Sequence, residues 1–445
     1  MLRRIAPALA ATLVLSGCPA VPPGATSAPG ATGASSGEAT VNGQVTSAES
    51  DDGSQARYRA AATGGVSGAA VVAVRVESDG RLTPISGTAT ADASGRFSLK
   101  VPAGATNTVI KATQSGAESF VIVSQATAAN ATVTAKPITA ESSVEARVFA
   151  KLVASGGQAT TTDTVDLMER IGAEAAARAR ADEQAIAALA ASVKAAQEAR
   201  LKGLKAEGES DAEIAAAHAA ELDAQAELAV KLNAATTAQA ASDAYRSYQE
   251  ARVEAKAEAG VSAESQLKAA EAAGTAQVRL ATGASEALKV AIAKESAREK
   301  ARLRRKAAEA ALRVLGATDA QLSASASASV TLEADVDAAT SLQALNNAFK
   351  TYHDAMLDVL KDVLGAGVAA TAAVSLDASV NGKLRASLDA SLAASASTDA
   401  VVAAYQAFYQ AVEQAAQASA SALGGAAKVD ATVSVTIAIS ASAGF

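Results

Sequence analysis

Alanine supplies much of the apolar content of this chain, and that limits the kind of core it can build. Half of the 445 residues are apolar, yet aromatic residues make up 3% and tryptophan is absent. A buried alanine removes only about one methyl group from water, so it stabilises far less than a leucine or phenylalanine. Such a core gains stability where helices approach closely. A chain of this length is expected to form two or three domains.

The N-terminus has the anatomy of a leader. Arg3 and Arg4 are followed by an apolar stretch over residues 5–15, the length of a signal-peptide core and too short to span a bilayer. Small residues come next, then Cys18, the single cysteine of the chain, so no internal disulfide can form. Leu15-Ser16-Gly17-Cys18 resembles the lipobox of bacterial lipoproteins. The resemblance implies cleavage after residue 17 and attachment of a diacylglyceryl group to Cys18. Two chains hold a soluble domain on a membrane far better than one. Pro19 and Ala20 follow, where an aspartate would resemble the inner-membrane retention signal, which points to the outer membrane, facing periplasm or cell surface. The formal charge is −7, and −9 once Arg3 and Arg4 leave with the leader. An acidic chain is a poor partner for nucleic acid. No apolar run after Cys18 is long and uninterrupted enough to cross a membrane.

Residues 18–37 carry the lipidated cysteine and a tether of Pro, Gly, Ala, Ser and Thr without charge or apolar periodicity. Residues 38–137 change character. Valine and isoleucine recur at strand spacing over 41–45, 70–76, 97–101, 109–112, 120–123 and 131–135. Turn pairs such as Asp79-Gly80, Ser94-Gly95, Ala103-Gly104 and Ser115-Gly116 separate them. Short strands at this spacing predict a β-sandwich. The polar stretch 50–65 reads as a loop. Val41-Asn42-Gly43-Gln44-Val45, Val66-Ser67-Gly68-Ala69-Ala70-Val71, Asp92-Ala93-Ser94-Gly95-Arg96-Phe97 and Val101-Pro102-Ala103-Gly104 resemble the carboxypeptidase regulatory-like (transthyretin-like, prealbumin-like) family. That resemblance implies an Ig-like sandwich of seven strands, with Phe97 in its core and an accessory or adhesive role. Asp92 reads as a turn former in preference to a calcium ligand.

Residues 138–160 predict a short helix and linker, with Val144, Val148, Phe149 and Leu152 on one side. Residues 161–316 read as an alanine-rich helical hairpin or bundle, of coiled-coil type. Ile186, Leu189, Val193 and Ala196 share a stripe. Ser210-Asp211-Ala212-Glu213 is a capping box opening a helix expected to run to Ala259, and a third long helix is expected over 285–315. On that helix Lys294, Arg298, Arg302 and Arg305 share a face, a candidate contact with an anionic surface such as lipid head groups or cell-wall polymer. The competing reading is a solvated helix face.

Over residues 317–445 the period changes. Residues 322–336, 374–380, 384–392 and 429–439 alternate between apolar or alanine positions and Ser, Thr or Asp, the period of strands. Asn381-Gly382 sits between two of them as a hairpin signal. Helices are expected over 340–364 and 398–423, and Ala348-Phe349-x-x-Tyr352 matches Ala404-Tyr405-x-x-Phe408. The order predicts a βαββαβ, ferredoxin-like α+β unit. The expectation for the whole chain is thus a multidomain α and β protein.

Chemistry-bearing motifs are sparse. The two histidines, His218 and His353, lie far apart, and Tyr352-His353-Asp354 is the one local cluster, read as a helix-surface histidine. Cys–His pairs, His-Glu-x-x-His, phosphate-binding glycine loops and Gly-x-Ser-x-Gly are absent from the sequence. No catalytic, metal-binding or cofactor-binding residue is assigned. The expectation is a non-enzymatic envelope lipoprotein, anchored to the membrane and acting as a binding or scaffolding module for a protein or cell-wall polymer. The alternatives are a surface-exposed adhesin or carbohydrate-binding lipoprotein, and an envelope hydrolase using carboxylates from separate helices.

Overall fold

Alternating β-branched residues build the N-terminal part as expected. The computed structural model describes residues 37–46, 64–125, 127–156 and 161–440. The leader, Cys18, nearly all of the tether and most of the 50–65 loop lie outside the described residues. Among the described residues eight strands follow in order: β1 (Glu38–Gln44), β2 (Ala70–Val76), β3 (Leu82–Pro84), β4 (Ala89–Thr90), β5 (Arg96–Pro102), β6 (Thr108–Gln114), β7 (Ala117–Ile122) and β8 (Thr132–Thr134). One sheet has the order β5-β1-β8, with β8 parallel to β1. The other has the order β3-β2-β6-β7, with β4 also paired to β2.

An apolar core joins the two sheets. Val41, Val71, Phe97, Leu99, Ile110 and Val121 are among its members. Phe97 lies across from Gly43 in the β1–β5 register, and a Cβ at residue 43 would strike its ring. Asp92 holds the turn before β5. Its Oδ1 accepts from the Ser94 N–H at 2.8 Å, the Ser94 hydroxyl at 2.7 Å and the Arg96 N–H at 2.9 Å.

Strands β2 and β6 of the second sheet contribute apolar residues to a core on each face. Along β2, Val71 and Ala73 face the first sheet, whereas Val72, Val74 and Val76 face the helices. Helix α1 (Ala140–Ala154) lies on that outer face through Val144, Val148, Phe149 and Leu152. Its first turn also closes the β7 edge. The Phe120 N–H donates to Ser143 Oγ at 2.9 Å, and the Ser142 hydroxyl donates to the Phe120 carbonyl at 2.7 Å. Side chains thereby satisfy an edge that would otherwise template further pairing.

The rest is helical: α2 (Thr161–Arg170), α3 (Ala173–Ala179), α4 (Glu183–Ala206), α5 (Asp211–Ala234), α6 (Ala238–Glu258), α7 (Ala263–Arg279), α8 (Glu286–Val314), α9 (Asp319–Ala338), α10 (Leu342–Leu364), α11 (Val368–Ser379), α12 (Arg385–Ala393), α13 (Thr398–Gln417), α14 (Ala420–Leu423) and α15 (Ala426–Ile439). The expected capping box at Ser210 and Glu213 is present. The helix expected to reach Ala259 is two helices, because Thr237 caps a new start by accepting from the Ala240 N–H at 3.1 Å. Close helix approach marks the alanine seam. A Cβ at Gly203 of α4 would lie 3.0 Å from Ala269 Cα of α7, and one at Gly274 would collide with Ser296 Oγ of α8.

The ferredoxin-like expectation for the C-terminal third is corrected: residues 319–439 contain helices and no strand among the described residues. In α9 the buried positions are Ser325, Ser329, Leu332 and Val336, the spacing of one helix face. The Ser and Thr hydroxyls that mimic a strand's polar face bond back to carbonyls one turn earlier, as Ser327 to Ser323 at 3.0 Å and Thr331 to Ser327 at 3.1 Å. Ala373, Leu376, Asp377 and Val380 are likewise one helical stripe. Asn381-Gly382 is no hairpin; it lies in a π-helical turn, Val380–Leu384, joining α11 to α12. In α15, Val429, Thr432, Val433, Val435, Thr436, Ile437 and Ile439 are all buried, so burial on every side overrides the strand preference of β-branched residues.

The likeness between residues 348–352 and 404–408 has a third member, Ala244-Tyr245-x-x-Tyr248. Each follows a hydroxyl N-cap, Thr237, Ser341 or Ser397, at the same spacing. Each second helix packs on a preceding one through matching pairs: Leu228 and Leu232, Leu332 and Val336, Leu388 and Leu392, all buried. Three related hairpins, α5–α6, α9–α10 and α12–α13, thus recur in the helical part. No helix among the described residues is long and apolar enough to cross a membrane.

Candidate functional site

The main concentration of chemistry is a buried ionic centre where five helices meet. Glu169 and Arg170 come from α2, Arg200 from α4, Glu221 from α5, Arg252 and Lys256 from α6, and Glu299 and Arg302 from α8. Arg252 is the hub, with its side chain 2% exposed. Its Nε donates to Glu221 Oε1 at 2.8 Å, its Nη2 to Glu299 Oε1 at 3.4 Å, and its Nη1 to Glu169. Arg200 Nη2 reaches Glu221 Oε1 at 3.3 Å, and Lys256 pairs with the same carboxylate. Arg170 Nη1 lies 3.9 Å from Glu299 Oε2 and donates to Gln277 Oε1 at 3.3 Å.

Burial and charge compete at each group. Burial raises the Glu221 and Glu299 carboxyls, but surrounding cations outweigh it. Lys256 and Arg200 hold Glu221, and Arg170 and Arg200 hold Glu299, well below the usual carboxylate range. Burial, reinforced by Arg200 and Arg252, brings the Lys256 ammonium down to about 7. A small cavity lies beside the hub, lined by Arg200, Arg252, Lys256, Arg302 and Glu299 together with Gln266, Val253 and Leu303. Its free space takes a single water-sized group.

A second charged cluster sits farther along α7 and α8. Arg304 Nη2 donates to Glu271 Oε1 at 2.6 Å, and Lys300 Nζ lies 3.3 Å from Glu271 Oε2. Arg304 Nη1 also donates to the Ser440 and Ala438 carbonyls at 2.6 and 3.2 Å. It thereby caps the C-terminus of α15, where a cation is favoured.

The four basic residues singled out on α8 do not form one solvated face. Lys294 is 8% exposed and donates to Glu174 at 3.1 Å and to the Asp337 carbonyl at 3.2 Å. Arg298 donates to Asp337 at 2.7 Å and Glu295 at 2.5 Å. Arg302 lines the cavity, and Arg305 lies 3.7 Å from Glu250. The face is a meeting line for α3, α6 and α9. Apart from Glu295, its partner groups sit on other helices, so spacing along α8 could not reveal them.

His353 is also buried rather than on the helix surface. Its Nδ1 lies 2.9 Å from Asp354 Oδ1 and its Nε2 2.9 Å from Asp377 Oδ1, so both neighbours favour the imidazolium. Asn381, in the π-helical turn, donates to Asp377 Oδ1 at 2.8 Å. Burial lowers the His353 pKa, but the bonds to Asp377 and Asp354 outweigh it and raise it overall. Sequence reading found His353 and Asp354 and missed Asp377 and Asn381, because an apparent hairpin separated them. Among the described residues no group of His, Cys, Asp and Glu could hold a metal ion. No protein-family model, curated protein or solved structure matches this chain.

Proposed function

We propose that this chain is a lipid-anchored protein of the bacterial envelope whose folded part is a non-catalytic binding or scaffolding module. The observation that carries the reading is Leu15-Ser16-Gly17-Cys18, placed after a basic and apolar leader and holding the chain's single cysteine. An uncharged segment of Pro, Gly, Ala, Ser and Thr then separates Cys18 from β1, which suits a tether between bilayer and protein. Outer-membrane placement and a protein or cell-wall polymer as partner belong to the same proposal.

The ionic centre supports a structural rather than catalytic role. Carboxylates from three helices do converge, as a hydrolase would require, but Glu169, Glu221 and Glu299 all meet on Arg252. Glu221 and Glu299 are held ionised by their cations, so neither carries a proton to donate near neutral pH. The Asp92 turn and the inward Phe97 support a transthyretin-like reading of the N-terminal sheets, which favours an accessory module.

Growth of the producing bacterium with an alkyne-bearing fatty acid tests the anchor. Wild type is expected to take up label and sediment with membranes. Cys18→Ala is expected to lose label and appear in the soluble fraction. Unlabelled wild type retaining its leader would overturn the proposal.

A further inference from the structure

We propose that the cavity beside Arg252 binds a single halide-sized anion. Four cations, Arg200, Arg252, Lys256 and Arg302, line it against one carboxylate, Glu299. Arg252, Arg200 and Lys256 already converge on Glu221 from different helices, and Arg252 also holds Glu169 and Glu299. Arg302 is the exception. Among the described residues no carboxylate oxygen lies within ion-pair distance of its guanidinium, while its longer-range attraction comes from Glu169, Glu299 and Glu333. A guanidinium facing a partly enclosed space has strong N–H donors to offer and few acceptors to take them.

The lining suits a monatomic anion. Cationic N–H groups share it with the side chains of Val253 and Leu303. Gln266 also borders the space, but its amide group donates elsewhere, to the Val261 and Val253 carbonyls at 2.9 and 3.3 Å. Room for one water-sized group excludes phosphate, sulfate and organic carboxylates. Burial pushes both Arg302 and Lys256 below their ordinary values, and in each case the neighbouring Arg252 lowers it further. An anion among them would relieve that crowding and tie α4, α6 and α8 together.

The test uses the purified full chain. Thermal midpoints are compared in sodium chloride, bromide and gluconate at one sodium concentration. Chloride and bromide are expected to raise the midpoint saturably, and gluconate is expected not to. Arg302→Gln is expected to weaken the halide response at least about tenfold, the loss of one charge-assisted contact. Crystals soaked in bromide provide a second readout that does not depend on a variant folding: an anomalous peak is expected between Arg302 and Lys256. Equal midpoints in halide and gluconate, or water in the cavity of bromide-soaked crystals, would overturn the proposal.

Discussion

The two interiors of this protein are built on different principles. The core between the sheets is built of Val, Ile, Leu, Phe and Ala, and the buried Lys136, between Ala135 and Ile138 of that core, pairs with Glu145 of α1. The helical interior holds many alanines and, beside them, Arg170, Arg252, Lys256, Glu299, Lys300 and Arg304, all nearly inaccessible. Large branched side chains fill the space between sheets and set their own register by shape. Alanine lets helices come close, as at Gly203 and Ala269, but carries little shape information along a smooth seam. Ionic clusters supply that information here. Arg252 takes carboxylates from three helices at once, and Arg304 ties α7 to the end of α15. Such clusters add little net stability when intact, and breaking one is costly.

The largest expected effects contrast the two interiors directly. Arg252→Met leaves three buried carboxylates without their hub and should cost about 3–5 kcal/mol in urea unfolding. Gln replacements that restore the charge balance in the same chain, above all at Glu169, whose ion-pair partner is Arg252, should recover part of that loss. Phe97→Ala should also cost about 3–5 kcal/mol, but through a cavity that no second polar change repairs. If the Gln replacements recovered nothing, the helical interior would depend on packing as the sandwich does, and the contrast would fail. Gly274→Ala places a methyl group against Ser296 and Lys300 and should cost about 1–3 kcal/mol by overpacking. The same glycine-to-alanine change at Gly104, a position with open space but φ of +74°, should show strain of backbone origin instead.

The subtlest expected effect is a slope. Lys256 falls from 10.5 in the unfolded chain to about 7 when folded. Between those values the unfolded chain binds the extra proton, so Lys256 makes stability rise with pH from about 7 to 10.5 and contributes its full cost below 7. Lys256→Met should remove that slope, measured by chemical unfolding across the window. An unchanged slope would show that the ammonium is not held in the low-dielectric interior.

Legibility in the sequence followed the same division. The N-terminal strands were readable because Val and Ile favour strands, although the same residue types, buried on every side, form helix α15. β2, β5 and β6 lie where the alternation put them, and so does α1. The C-terminal helices were not readable, because alanine and serine alternating in α9 satisfy a strand template on paper. In the fold the buried stripe runs through Ser325 and Ser329, not through the alanines. The hydroxyls that looked like a solvent face are satisfied within the helix. Asn381-Gly382 failed as a turn because the Asn381 side chain donates to Asp377 one turn earlier. The ionic centre was invisible for a different reason: its members are spread from Glu169 to Arg302, and each alone resembles an ordinary helix charge. The aromatic repeat was half legible, since two of its three members were apparent and the third was hidden by the misread helix boundary at Thr237.

Hydrogen exchange followed from pH 7 to pH 3 tests the division most directly. Glu221 and Glu299 are held below the unfolded carboxylate value, so their contribution is present above about pH 4.5 and is lost as pH falls toward their folded values. Opening free energies for α6 and α8 amides around Arg252 should therefore fall by about 1–2 kcal/mol per carboxylate at pH 3, while β2 and β6 amides facing the sandwich core change little. Equal losses in both interiors, or earlier loss in the sandwich, would contradict the account.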